Sequence, residues 1–310
     1  GYPECGACDK YALALANLLC GNGECPHMAG LEYTLAGPTL RADDYTLVAL
    51  TGGAVEPKVN GKRVNMFEPL LLAPGDTLEI GMLVSGLRGY LAVFGGFDIP
   101  PVLGSRSTDL KCHIGGLNGR ALKAGDVLPV LRAFELPQER FRPLQKRVRA
   151  AALEDWALTT LTPHGFIGAQ KFPLLRVVLG PQDEMFTEKG LFDFKSALYT
   201  VTQDSNRMAA KLNGAAIEAR AGVDILSDGI VEGSVQISAN GQPIVMLTDH
   251  QSTGGYAKIA TVIPCDIPTL AQVRPGQLVG FRVVTVEEGT AACKKEKDKW
   301  AYLKEKIDHD

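Results

Sequence analysis

The sequence predicts a mainly β protein of the α+β class, arranged as two β-rich domains. Three observations carry that expectation. Through most of the chain, short apolar runs alternate with polar residues and end in glycine-containing turns. A length of 310 residues is enough for two hydrophobic cores. Between Glu135 and Lys171 the strand periodicity stops and prolines and charges take over. The domains are therefore expected at residues 1–134 and 172–310, with 135–171 as linker and insertion.

The first element departs from the β pattern. Asp9 to Cys20, "DKYALALANLLC", reads as a helix with Asp9 as its N-cap and Gly21 as its stop. Strands are expected at Tyr45 to Leu50, Lys58 to Val64 (turning at Asn60-Gly61), Leu70 to Ala73, Thr77 to Ile80 and Arg88 to Phe94. A small device recurs in "APGDTLEI" from Ala73, "KAGDVLPV" from Lys123 and "RPGQLVGF" from Arg274. Each sets a glycine in a tight turn just before a strand, a turn preference too short to indicate duplication.

In the second half, "LLRVVLG" from Leu174 reads as a strand, Asp183 to Lys195 as a helix, and Leu198 to Thr202 as a strand. A β-hairpin follows, with Val231, Val235 and Ile237 alternating on one arm and Ile244 to Leu247 on the other. Asn240-Gly241 between them suits a turn in which both residues take positive φ. Asp266, with Pro268 near the first turn, starts a short helix through Gln272, and Phe281 to Val286 reads as the last strand. The tail Ala291 to Ile307 is a charged amphipathic helix with Trp300, Leu303 and Ile307 on one side. A helix docked by that stripe is favoured over one that binds a partner.

Composition excludes several classes. Hydrophobic residues make up 45%, charged residues 22%, and the formal net charge is −3, as in ordinary globular proteins. Basic residues are dispersed apart from Arg140, Arg142, Lys146, Arg147 and Arg149, which read as a solvated linker rather than a nucleic-acid site. No apolar run approaches a membrane span and no secretory segment opens the chain. Seven cysteines include Cys5, Cys8, Cys20 and Cys25, whose spacing could bind zinc. Cys20 falls at the end of the expected helix, so ordinary buried or free thiols are favoured and no metal is expected. An odd count without scaffold spacing suits a reducing, cytoplasmic setting.

Several polar groups could carry chemistry. In Ser105-Arg106-Ser107-Thr108-Asp109 a guanidinium flanked by hydroxyls suits a carboxylate or phosphate; the alternative is an Arg106–Asp109 ion pair holding a loop. Gln236 in mid-strand can match one donor and one acceptor of a lactam or urea-like group, or merely face outward, and Gln182 admits the same two readings. The polar loop Asp249 to Tyr256 is the strongest candidate. Asp249 could act as a base or orient an arginine, Gln251 and Thr253 offer hydrogen bonds, and Lys258 brings a cation. Gly254 and Gly255 beside Tyr256 allow close backbone approach to a ligand. His250 is not assigned a catalytic role.

Five runs together resemble the KipA family, also called allophanate hydrolase subunit 2 or the biotin-dependent carboxyltransferase family. They are "GGFDIPPVLGSRSTDL" from Gly95, "GLNGRALKAGDVLPV" from Gly116, "GPQDEMF" from Gly180, "SNRMAAKLNG" from Ser205, and "GIVEGSVQISANGQPIVMLTDHQSTGGYAKIA" from Gly229. The resemblance covers nearly the whole chain and is strongest to PxpC-type subunits of an ATP-dependent 5-oxoprolinase. It implies a cyclophilin-like β-barrel as the C-terminal domain. It also implies that the cysteines are not ligands and that relatives carry a further short segment ahead of Gly1.

The resemblance implies Arg207, Gln236 and Asp249 as catalytic residues. Ser105, Arg106, Ser107, Gln182, Gln251, Thr253, Gly254, Gly255, Tyr256 and Lys258 are implied as substrate-binding. Relatives have Asp at Asn206, Gly at Ala209, Thr at Ser252 and Pro at Ala257. The chain has no Gly-x-x-x-x-Gly-Lys-Ser/Thr loop, no biotin-attachment run and no Gly-x-Ser-x-Gly elbow. ATP is thus expected to be used by a complex and not held by this chain alone. The partners implied are a KipI-like (PxpB-type) subunit and a lactam-utilisation-type (PxpA-type) subunit. Alternatives are the carboxyltransferase part of a biotin-dependent urea or amide carboxylase, where biotin enters, and a KipA-like regulator of a KipI-type kinase inhibitor. The expectation for the site is that Arg106, Arg207, Gln236 and the tract near Tyr256 meet in one cavity completed by another protein.

Overall fold

A computed structural model describes residues 5–23, 28–131 and 172–308. The expected linker 135–171, with its five basic residues, and Cys25 lie outside the described residues. The chain divides into two units: Cys5–Leu161 with Lys299–Asp310, and Thr162–Asp298 with Gly1–Glu4.

The first unit opens with α1 (Lys10–Leu19), where the Asp9 carboxylate accepts from the Ala12 amide at 2.9 Å and Gly21 ends the helix at φ +77°. Then come β1 (Leu31–Thr34), β2 (Ala36–Arg41), β3 (Thr46–Ala54), β4 (Lys58–Val59), β5 (Lys62–Arg63), β6 (Leu70–Leu72), β7 (Thr77–Met82) and β8 (Ser85–Val93). They form two four-stranded sheets, ordered β1-β8-β3-β6 and β2-β7-β4-β5. β4 and β5 are joined at Asn60-Gly61, both at positive φ (+49° and +75°), the geometry that dipeptide favours.

β1 and β2 carried no strand signal because Leu35 turns between them at φ +62° and Gly37-Pro38 interrupts the alternation. Val48, Leu50, Leu78, Ile80, Leu91 and Val93 fill the core between the sheets. On the opposite face of β3 and β8 stand Ala49 and Ala92, small enough for Leu15, Leu18 and Leu19 of α1 to lie flat against them. Thr51 Oγ1 donates to the Ala12 carbonyl at 2.6 Å and fixes the helix register. Leu303 joins this cluster, and the Trp300 ring meets Tyr11 edge-on at 5.3 Å. The apolar stripe of the tail is therefore docked within this unit.

The second unit holds β9 (Leu174–Leu179), a 3-10 turn (Asp183–Met185), α2 (Glu188–Ser196), β10 (Tyr199–Val201), β11 (Ala209–Asn213), β12 (Asp224–Gly229), β13 (Ser234–Ile237), β14 (Pro243–Met246), β15 (Thr253–Tyr256) and β16 (Lys258–Val262). A second 3-10 turn (Pro264–Asp266), α3 (Ile267–Ala271), β17 (Leu278–Val283) and α4 (Val286–Asp308) complete it; the last turns of α4 belong to the first unit. Seven strands close into a barrel, β10-β11-β14-β13-β16-β9-β17, in which the β9–β17 pairing is parallel. The barrel expected in the C-terminal half is therefore present. Leu175, Val177, Tyr199, Val235, Ile237, Val245 and Ile259 fill it, and Phe194 of α2 stacks on Phe281 at 4.6 Å. β12 and β15 form a separate two-stranded ribbon.

Four local expectations need correction. The helix expected over Asp183 to Lys195 is broken after Met185, because buried Phe186 is extended and Thr187 Oγ1 caps the Gly190 amide at 3.0 Å. The last strand ends at Val283 and the tail helix starts at Val286, not Ala291. A capping box sets that start: Glu288 N donates to Thr285 Oγ1 (3.2 Å) and Thr285 N to the Glu288 carboxylate (2.8 Å). In the hairpin, β13 begins at Ser234 and Val231 stands exposed outside it. Its turn closes through Gly241 N to the Ser238 carbonyl at 2.8 Å, and Gly241 (φ +78°) takes positive φ while Asn240 does not.

Candidate functional site

Strand alternation turns Val235 and Ile237 of β13 into the barrel and Ser234 and Gln236 outward. Gln236 is nevertheless only 2% exposed, because the β12–β15 ribbon lies over this face. Its Nε2 donates to the Tyr256 carbonyl at 3.1 Å. Gly254 makes that approach possible: a Cβ there would stand 2.5 Å from Ile230 Cδ1 and 2.8 Å from Gln236 Nε2. Gly255 has no such constraint, its nearest neighbour being the Ile225 carbonyl at 3.5 Å. Half of the stretch read as a loop is thus strand, with Thr253 paired to Gly229 and Tyr256 to Asp224.

Opposite Gln236 across the ladder stands Lys258, placed there by a β-bulge between the Val235–Ala260 and Gln236–Lys258 pairs. Its side chain is 6% exposed, and Nζ reaches the Asp228 carboxylate of β12 at 2.6 Å. That ammonium is the main cause holding the Asp228 carboxyl below its ordinary pKa. Gln182, just after β9, accepts from the Lys258 amide through Oε1 (3.1 Å) and directs Nε2 at Asp228 (3.5 Å). Gln182, Gln236, Gly254, Tyr256 and Lys258 are therefore neighbours. Asp228 completes the group and was missed; "LSDG" has no strand periodicity, and the buried lysine's need for a counter-charge was the one available signal.

Arg207 precedes β11 and Asp249 follows β14, which is β11's ladder neighbour. Their side chains meet in a fork, Nε to Oδ2 at 2.8 Å and Nη2 to Oδ1 at 3.0 Å, and the Asp249 amide donates to the Arg207 carbonyl at 3.0 Å. Of the two roles expected for Asp249, the geometry matches orientation of an arginine. Asn206 Oδ1 accepts from Met208 N (2.8 Å) and Ala209 N (3.3 Å), an acceptor role an aspartate would fill equally. From Asp249 the chain runs past exposed Gln251, anchors by Ile230 N to the Ser252 carbonyl (2.9 Å), and enters β15 at Thr253, itself exposed. His250 Nδ1 stays on the neighbouring Gln251 carbonyl at 2.7 Å.

Ser105, Arg106 and Ser107 lie in the first unit. The Arg106 guanidinium donates to the Ile99 carbonyl, and Ser107 N donates to Ser105 Oγ at 3.2 Å. The alternative Arg106–Asp109 pair is not formed. Asp109 instead accepts from Lys111 N (2.8 Å) and Cys112 N (3.0 Å), and these backbone donors help hold its carboxyl below the usual range. Cys5, Cys8 and Cys20 are buried; burial drives the Cys20 thiol far upward, and its Sγ donates to the Ala92 carbonyl at 3.3 Å. Among the described residues, no helix is long and apolar enough to cross a membrane.

The outer face of the closed barrel thus buries the Gln236 amide and the Lys258 ammonium under the ribbon, with the Arg207–Asp249 fork at one strand end. The chain belongs to the carboxyltransferase-domain family: the model for "carboxyltransferase domain, subdomain A and B" matches residues 1–283. It is similar to the C subunit of 5-oxoprolinase from Escherichia coli strain K12, 35% identical over 305 residues, 98% of this chain and 89% of that protein. The C subunit of the Haemophilus influenzae 5-oxoprolinase is 33% identical over 298 residues, 95% of this chain and 87% of that protein. Among solved structures, the K. lactis urea amidolyase superposes with a TM-score of 0.82 at 27% identity, covering 100% of this chain but only 18% of that one.

Proposed function

We propose that this chain is a non-autonomous subunit of an ATP-dependent 5-oxoprolinase that opens 5-oxo-L-proline to L-glutamate. The observation that carries the reading is the 35% identity across nearly all of the C subunit of the E. coli 5-oxoprolinase. The site's chemistry supports it. Gln236 Oε1 makes no hydrogen bond to another described residue, which leaves an acceptor for a lactam N–H once the covering ribbon admits it, while Nε2 stays on Tyr256. Lys258 and Arg207 supply positive charge for the substrate carboxylate or for phosphoryl oxygens. A lactam carbonyl is a poor electrophile, and phosphorylating its oxygen makes the ring carbon attackable.

ATP is used by the assembled complex, whose other members are a KipI-like subunit and a lactam-utilisation-type subunit in the cytoplasm. The test is glutamate release and coupled ATP hydrolysis by the other subunits with and without this chain. Full turnover without it sinks the proposal. A second reading, the carboxyltransferase part of a biotin-dependent urea or amide carboxylase, is favoured by the superposition on the urea amidolyase. Carboxybiotin-dependent carboxylation of urea in the presence of this chain, with no glutamate release, would select it.

A further inference from the structure

Outside that site the barrel unit carries a second reactive constellation. Cys265 lies in the 3-10 turn after β16, and Cys293 lies on α4. Both are half-buried free thiols, and their Sγ atoms are 3.2 Å apart. A disulfide needs about 2.05 Å, so closure asks for a shift of about 1 Å, within reach of χ1 rotation. The pair sits against a fixed cation. Arg176 of β9 is held by Asp266 through Nη2 to Oδ1 (2.5 Å), Nε to Oδ2 (3.0 Å) and its own amide to Oδ2 (2.7 Å), and Nη2 stands 3.5 Å from Cys265 Sγ. A guanidinium in that position stabilises negative charge developing on the sulfur.

We propose that Cys265 and Cys293 are a redox modification site that closes reversibly to an intramolecular disulfide, with a low-molecular-weight disulfide such as oxidised glutathione as oxidant. The two sulfurs are in contact and both half-buried, so the exchange can start at either and takes the same form from Cys293 as from Cys265. The Cys293 thiolate attacks one glutathione sulfur, expels a glutathione thiolate and leaves a mixed disulfide. Cys265 then loses its proton to solvent and attacks Cys293 Sγ, expelling the second glutathione. Two protein thiols lose two protons and two electrons, and the glutathione disulfide takes them up as two thiols. Contact between the sulfurs gives the second step a high effective concentration. The product ties the start of α4 to the turn after β16, both within the barrel unit.

The test uses the full chain in buffers of rising oxidised-to-reduced glutathione ratio, followed by peptide mapping without reduction. The expected result is a Cys265–Cys293 cross-linked peptide lighter by two hydrogens, growing with the ratio and reversed by dithiothreitol. Exposed Cys112 is read separately as a glutathionyl mass gain. Cys265→Ser and Cys293→Ser should each abolish the cross-link and strand the glutathionyl adduct on the remaining thiol of the pair. Backbone hydrogen exchange over 286–298 should slow at least fivefold on oxidation of wild type and stay unchanged in either variant. A stable glutathionyl adduct on Cys265 or Cys293 of wild type, a cross-link to another cysteine, or no cross-link once Cys112 is fully modified would each overturn the proposal.

Discussion

The contact between Gly254 and Gln236 can be tested by a double-mutant cycle. A Cβ at residue 254 would meet Gln236 Nε2 at 2.8 Å and Ile230 Cδ1 at 2.5 Å, both inside ordinary van der Waals separation. Ile230 presents the end of a flexible side chain, but Gln236 is pinned by its bond to Tyr256. Gly254→Ala should therefore cost about 1–3 kcal/mol through overpacking. Gln236→Ala should cost about 1–3 kcal/mol by stripping the Tyr256 carbonyl of a buried partner. In the double variant the new methyl occupies space vacated by the amide, so the total should fall short of the sum by about 1 kcal/mol or more.

Native-state hydrogen exchange at Val235 and Val245 reads the stability of the barrel unit directly. The described tryptophan, Trp300, reports on the other unit. Each single variant should exchange roughly 5- to 150-fold faster than wild type, at tenfold per 1.4 kcal/mol. Additivity within about 0.5 kcal/mol would refute a direct Gly254–Gln236 contact and with it the covering role of the ribbon.

Arg207→Lys keeps the charge but loses the fork to Asp249; glutamate release by the reconstituted complex should fall tenfold or more, from about 1.5–3 kcal/mol per charge-assisted contact, with barrel exchange unchanged. Lys258→Met should raise the Asp228 carboxyl pKa toward its ordinary 3.8, followed by NMR titration. Because the folded pKa is depressed in wild type, the pair's stabilisation is present above the ordinary value and lost as pH falls through the lowered one. Lys258→Met should remove that loss below about pH 4. Thr285→Ala breaks the capping box and should speed exchange in the first turn of α4, at a cost of about 1 kcal/mol; no change would mean that α4 is held by packing alone.

Signals carried by one or a few adjacent residues were legible in the sequence. Asp9 and Gly21 bounded the first helix, Asn60-Gly61 joined its hairpin, and Trp300, Leu303 and Ile307 formed the tail's apolar stripe, because capping, turn geometry and amphipathicity are local. The Thr285-to-Glu288 box is equally local, and its two hydrogen bonds start α4 earlier than the expected Ala291. Of the site, Arg207, Gln182, Gln236, Lys258, Asp249 and Tyr256 were readable from residue type and family motif, whereas Asp228, the partner of Lys258, was not.

Which atom meets which was decided only by the closed barrel. Its register sets Lys258 opposite Gln236 by a single bulge, and the ribbon pairing brings Asp228 over them from 30 positions away. Arg207 and Asp249, 42 positions apart, become a fork because β11 and β14 are ladder neighbours. The same long-range geometry sets Cys293 against Cys265, 28 positions apart, with Arg176 beside them. A polar residue's type is written in its codon, whereas the desolvation that makes its partner matter exists only once distant strands have closed over it.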